Sequence, residues 1–202
     1  MNVDVKKSAD SSEKDRELVR AFQGGDKSAF DALVLKHKDK VFNLCYRFLG
    51  DTQEANDSAQ DAFIKVYRSL KKFRLESAFS TWLYRIVANT CKNRLKSLEY
   101  RQKKKTIRLG NPGDIEDEQP SIQIRDKSPS PINELEMKER TMLIQKAIGS
   151  LPADKRTMVV LHDIEGLSYE EVSKITGLNI GTVKSRLSRA RLELRNKLKE
   201  IV

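Results

Sequence analysis

Apolar positions recur every three or four residues along most of the chain, the period of helices that bury one stripe. Leu18 and Phe22 sit four apart, and Gly24-Gly25-Asp26 separates them from a second run. That run carries Phe30, Leu33, Val34, His37, Val41, Leu44, Cys45 and Phe48, and Gly50-Asp51 ends it. A third helix is predicted through Ala55, Ala59, Ala62, Phe63, Val66, Tyr67 and Leu70. A fourth starts near Ser77 or Ser80, either of which offers a cap, and continues through Trp82, Leu83, Ile86, Val87 and Leu95. No stretch alternates in the manner of a strand.

The pattern lapses after Lys105. Residues 106–133 hold Pro112, Pro120, Pro129 and Pro131, two glycines and the acidic cluster Asp114, Glu116, Asp117 and Glu118. So long a polar stretch reads as a linker. Periodicity returns at Leu135, Leu143, Ile144, Ala147 and Ile148, is interrupted at Leu151-Pro152, and resumes through Val159, Val160, Leu161 and Ile164. The expected fold is therefore all-α, with two small helical domains and a flexible linker. A flexible tail is expected over 1–12, a helical bundle over 13–105, the linker over 106–133 and a second domain of short helices over 134–202.

The end of the second domain is more specific. Ser168-Tyr169-Glu170-Glu171 fits a capping box opening a short helix with Val172 and Ile175, which Gly177 closes. A longer helix follows from about Ile180 to Leu198, with Val183, Leu187, Ala190 and Leu194 as its stripe. A short helix, a turn with glycine and a longer basic helix make the helix-turn-helix layout, whose second helix enters the major groove. Gly181 and Thr182, near its start, would offer backbone N–H groups to a phosphate.

Charge sharpens this picture. The 202 residues carry 39 Lys+Arg and 29 Asp+Glu, a formal net charge of +10. Residues 92–105 and 182–199 each hold seven bases and one acid, whereas 111–136 hold seven acids and two bases. The excess forms two stripes on either side of an acidic tether, which makes nucleic acid the first partner to test. The first stripe follows Trp82, Tyr84, Arg85 and Asn89, and aromatic rings beside cations suit bases that have left the stack. On the third helix, Asp57, Gln60, Asp61, Lys65 and Arg68 form a polar face around Ile64, a pattern suited to docking on a protein.

Other chemistries find less support. No run of about 18 apolar residues predicts a membrane span, and the first residues lack the apolar stretch of a secretory signal, so a cytoplasmic protein with no membrane insertion of its own is expected. Cys45 and Cys91 lie far apart in helical patterns and read as reduced core thiols. His37 and His162 lack ligand-spaced neighbours, so no metal or cofactor is expected. Gly24-Gly25-Asp26 superficially matches a nucleotide-cyclase motif, but Lys27 and Ser28 follow it and no sheet supports it, so an enzyme is not expected. A one-component transcription regulator remains the rival reading. It would bind duplex DNA by itself, usually as a dimer.

Four stretches carry a resemblance: Gly24 to Phe30, Gln60 to Arg68, Ser77 to Asn89, and Leu167-Ser168-Tyr169-Glu170-Glu171 with Gly181 to Leu187. In this order they resemble bacterial RNA polymerase sigma factors of the extracytoplasmic-function (ECF) type. The resemblance implies a stress-response transcription factor that binds core polymerase, directs it to promoters, helps melt the minus-ten DNA and is held in check by an anti-sigma factor. It implies that Asp57, Gln60, Asp61, Phe63 and Ile64 lie on the helix docking on the β′ clamp helices, with the β flap as a second contact. It places Trp82, Asn89, Lys92 and Arg94 at the minus-ten element. Thr182, Lys184, Ser185, Arg186, Ser188 and Arg189 fall on the helix reading the minus-thirty-five element. Asn56 and Ser58 stand where relatives often have an acidic and an aliphatic residue. A linker of about 28 residues stretches to roughly 90–100 Å but averages ~30 Å as a coil. Elements two helical turns apart lie ~70 Å apart, so the free domains are expected to sit closer together than on DNA.

Overall fold

The computed structural model describes the backbone over 2–109 and 131–201, and side chains over 11–98 and 139–199. Helix α1 spans Asn2–Gln23, α2 Ser28–Leu49, α3 Thr52–Leu70 and α4 Phe79–Leu109. Helix α5 spans Pro131–Gly149 and α6 Ala153–Met158, which continues as a π-helical stretch, Val159–Ile164. Helices α7, Tyr169–Thr176, and α8, Ile180–Ile201, complete the chain. No strand occurs among the described residues, so the architecture is all-α as expected.

Helix α1 begins within the stretch assigned from sequence to a tail. Leu18, Val19 and Phe22 hold its far end in the core, and a helix nucleated there lengthens at little further cost. The acidic linker cluster, Asp114 to Glu118, lies outside the described residues.

Local chemistry sets the helix ends. Gly50 closes α2 at φ 77°, in the left-handed region that costs glycine little, and its N–H reaches the Tyr46 carbonyl at 2.8 Å. Asp51 then caps α3, accepting the Glu54 N–H at 2.7 Å. The first backbone bond of α4 runs from Trp82 N–H to the Ala78 carbonyl, so the helix begins between the two serines that the sequence offers as caps.

Helices α1–α4 wrap around Leu33, Val41, Leu44, Phe48, Val66, Leu70, Leu83 and Val87, all buried. At the end of α1 the Gln23 amide donates to the Leu70 and Phe73 carbonyls, at 3.0 and 2.8 Å. On the outer side of α2, Asp15 is buried against His37 Nε2, 3.1 Å away, and Lys36 Nζ, 2.6 Å away. Cys45 on α2 and Cys91 on α4 meet in this core as free thiols. Their mutual hydrogen bond, then burial, holds the Cys91 thiol far above its ordinary range. The buried apolar residues of the second domain, Ile148, Leu151, Val160, Leu161, Val172, Ile175, Val183 and Leu187, join this core as one contiguous cluster.

Candidate nucleic-acid and polymerase interfaces

The helix-turn-helix forms as its residues dictate. Ser168 Oγ accepts the Glu171 N–H at 3.2 Å while the Glu171 carboxylate accepts the Ser168 N–H at 2.9 Å, the reciprocal pair of a capping box. Gly177 ends α7 at φ 72°. Asn179 opens α8 by accepting the Thr182 N–H on its side-chain oxygen at 2.7 Å. That bond uses the Thr182 donor offered from sequence to a phosphate. Asparagine directly before the first helical residue, with its side chain within reach of the third N–H, is itself a start signal in the sequence.

Val183, Leu187 and Ala190 pack against Val172 and Ile175, which turns the rest of α8 outward. Lys184, Ser185, Ser188 and Arg189 are exposed. Their stripe continues one turn further through Leu192 and Arg195, both exposed, which the spacing from Lys184 would have revealed. Lys184 Nζ stands 5.3 Å from the Tyr169 ring centroid, and Tyr169 stacks on His162 at 4.4 Å, so the start of the stripe is braced from α7. Arg191 pairs with Asp163, which holds its guanidinium to one side. Arg186 departs from the others: its Nη1 lies 3.3 Å from Asp154 Oδ2, toward the first domain.

On α3, Asp57, Gln60, Asp61 and Ile64 follow i, i+3, i+4 and i+7 spacing, so they share one face. All four are exposed, Ile64 by 42%. Phe63 sits at the edge of that face, half-buried against the core. Carboxylates flank an apolar spot that no side chain covers among the described residues, and Ser58 is turned inward.

The residues on α4 split. Trp82 is half-buried, stacked on Phe73 at 4.6 Å and 23° and tilted to Phe79 at 6.0 Å. Asn89 is exposed. Lys92 Nζ lies 2.5 Å from Asp154 Oδ1. Arg94 turns the other way, pairing with Glu54 and, at 3.3 Å, with Asp57. The hydrogen bond to Glu54 raises the Arg94 pKa further, and its charge joins the acidic face of α3 rather than the basic stripe. Tyr84 is buried, and burial, then the Glu165 charge, pushes its hydroxyl up to about 12. The basic residues from Arg101 to Lys105 lie outside the described side chains. Among the described residues, no cluster of three or more His, Cys, Asp or Glu could hold a metal. No helix among them is long and apolar enough to cross a membrane.

Comparison with known proteins gives this arrangement a context. The Sigma-70 region 2 family matches residues 33–101, and the Sigma-70 region 4 family matches residues 141–194. The RNA polymerase sigma-H factor of Pseudomonas aeruginosa is 41% identical over 89% of this chain and 91% of its own length. The ECF RNA polymerase sigma-E factor of Escherichia coli K12 is 37% identical over 93% of this chain and 96% of its own. Among solved structures, the sigma factor RpoE of Bartonella quintana, in complex with the anti-sigma factor NepR, superposes with a TM-score of 0.61 at 25% identity, covering 84% and 96% of the two chains. With α2–α4 matching region 2 and the helix-turn-helix matching region 4, the chain belongs to the bacterial RNA polymerase sigma factors of the ECF type.

Proposed function

We propose that this protein is a transcription initiation factor that binds core RNA polymerase, directs it to specific promoters and helps open the minus-ten DNA under the control of an anti-sigma factor. The observation that carries this reading is the presence in one chain of three distinct outward faces. These are the acid-rimmed apolar spot on α3, the exposed Arg85 and Asn89 beside the half-buried Trp82 on α4, and the basic stripe of α8. A one-component regulator needs only the last.

In this reading Asp57, Gln60, Asp61 and Ile64 meet the β′ clamp helices, with Phe63 supporting them from the core. Trp82 and Asn89 receive unstacked bases of the minus-ten element, and Lys92 meets the backbone beside them. Lys184, Ser185, Ser188 and Arg189 address the minus-thirty-five element, with Thr182 and Arg186 on its flank. Arg94 organises the docking face by holding Glu54 and Asp57. Breaking a stacked step costs on the order of 1.4 kcal/mol, and a base held on an aromatic ring recovers about 1–3 kcal/mol. Capture of one or two bases therefore offsets roughly the cost of breaking a stacked step. The anti-sigma partner is supported by the RpoE–NepR complex, whose sigma subunit shares this fold.

Run-off transcription with purified core polymerase on a promoter library tests the whole reading. Initiation at a discrete promoter set that requires this protein supports it. Transcription no different from core polymerase alone, with tight binding of the free protein to palindromic duplex DNA, refutes it in favour of a regulator.

A further inference from the structure

Two side chains outside α8, Asp163 and Tyr169, touch its cations, and a third, His162, backs Tyr169. The π-helical stretch before α7 places two of them. Over Val159–Ile164 the turns widen, and the Glu165 N–H reaches the Val160 carbonyl at 3.0 Å, five residues back. Such turns are rare and frequent at functional sites. Here two consecutive residues, His162 and Asp163, reach Tyr169 of α7 and Arg191 of α8.

His162 is fixed on two sides. Its Nδ1–H donates to the Leu167 carbonyl at 2.6 Å, because a carbonyl only accepts. Its ring lies on that of Tyr169, with centroids 4.4 Å apart and planes inclined by 20°. Both residues are half-buried. On α8, Lys184 Nζ stands 5.3 Å from the Tyr169 centroid, within cation–π range. Arg191 lies two turns further on, roughly 10 Å along the axis. Its Nε donates to Asp163 at 3.1 Å, and Asp163 foremost, with Tyr169 adding to it, raises the Arg191 pKa.

An exposed lysine reaches a base edge only by giving up rotamer freedom. A ring that already holds the ammonium lowers that loss, as preorganisation does for any contact. The ring face attracts the charge as a whole, so the ammonium keeps donors for DNA. We propose that His162 and Tyr169 are positioning residues for promoter selection: their stack presets Lys184 for the minus-thirty-five element, while Asp163 presets Arg191 beside it. Selectivity then depends on residues that lie off the recognition helix. The proposal rests on the assignment of α8 to the minus-thirty-five element.

The test uses holoenzyme assembled from the full chain and core polymerase. Promoter duplexes recovered by the run-off library carry either the preferred or a scrambled minus-thirty-five element and are otherwise identical. The quantity read is the ratio of the two affinities, taken well below the lowest melting temperature of the set. Tyr169→Leu and His162→Ala should each lower the ratio about 2–5-fold, the loss expected for a cation–π contact at an exposed site. Tyr169→Phe keeps the ring and should stay near wild type. His162→Phe keeps a flat ring in the stack without the bond to Leu167 and should restore most of the ratio. Because Tyr169 acts through Lys184, Tyr169→Leu should matter much less in a Lys184→Ala background. An unchanged ratio in Tyr169→Leu and His162→Ala overturns the proposal. So do equal losses in His162→Phe and His162→Ala, or a Tyr169→Leu effect undiminished by Lys184→Ala. If Tyr169→Leu does not fold, the two His162 variants decide in its place. If Arg189→Ala lowers the ratio and Lys184→Ala does not, this proposal alone falls. If neither lowers it, the assignment of α8 falls with it.

Discussion

Replacing Trp82 by alanine separates its two roles. One face of the ring is already stacked on Phe73 at 4.6 Å, and Phe79 closes a second side, so a flipped base can meet only the remaining surface. That stacking is worth about 1–3 kcal/mol, which is a loss of roughly 5–150-fold in the open fraction of a promoter at constant occupancy. The same substitution also removes the Trp82–Phe73 pair, about 0.5–1.5 kcal/mol of fold stability, and the two effects must be told apart. Phe73→Leu is the control. Phe73 is buried and cannot reach DNA, so its loss weakens the stack from inside. With saturating polymerase, Trp82→Ala is expected to bind promoter DNA within about twofold of wild type, while permanganate reactivity of unpaired thymines falls by the computed factor. Phe73→Leu should lower the melting temperature comparably and leave most of the permanganate signal. Equal opening by wild type and Trp82→Ala refutes the base-capture role. An equal opening defect in the two variants assigns the effect to packing instead.

Other consequences are as direct. Arg189 is exposed on the α8 stripe, so Arg189→Ala should cost about 1–3 kcal/mol on the preferred minus-thirty-five sequence and little on scrambled DNA; a uniform loss in a binding titration marks a phosphate contact instead. Ile64→Glu places a charge at the centre of an exposed face, so core-polymerase affinity in a pull-down titration should fall at least tenfold with the melting temperature unchanged; unchanged affinity removes α3 from the interface. Asp15 is buried, which opposes its ionisation, but the hydrogen bonds from His37 and Lys36 outweigh this and its pKa lies below the ordinary carboxylate value. The ionised form is thus favoured by folding, so its stabilisation is complete above about pH 3.9 and is lost as pH falls through the lowered value. Asp15→Asn should therefore lower the melting temperature at pH 7 more than near pH 3, and equal losses at both would deny that its charge is what stabilises.

How far each residue could be read from the sequence follows from how local its physics is. Helix periods, the Gly50 and Gly177 stops and the Ser168–Glu171 capping box depend on residues within a turn of one another, and all form as the pattern predicts. The exposure of Asp57, Gln60, Asp61 and Ile64 follows from the same period, because the apolar stripe of α3 lies on the opposite side. Charge patterning likewise marks the α8 stripe, since an outward face of a packed helix keeps its cations in water. What the period does not carry is the partner that each cation finds. Arg94 belongs by sequence to the basic run of α4, yet its position on the helix aims it at Glu54 and Asp57 of the packed α3. Arg186 and Lys92, ninety-four positions apart, meet on Asp154, a residue that nothing in the sequence distinguishes. Arg156 and Gln145 are polar, yet both are buried, where they donate to carbonyls at the end of α2. The sequence by itself determined most of the helices, the glycine stops, the capping box and the basic stripe of α8, because these arise from interactions within a few residues. Only the tertiary structure decided which cations remain free for DNA and which are spent within the fold, because that depends on how two domains distant in sequence bring their charges within a few ångströms.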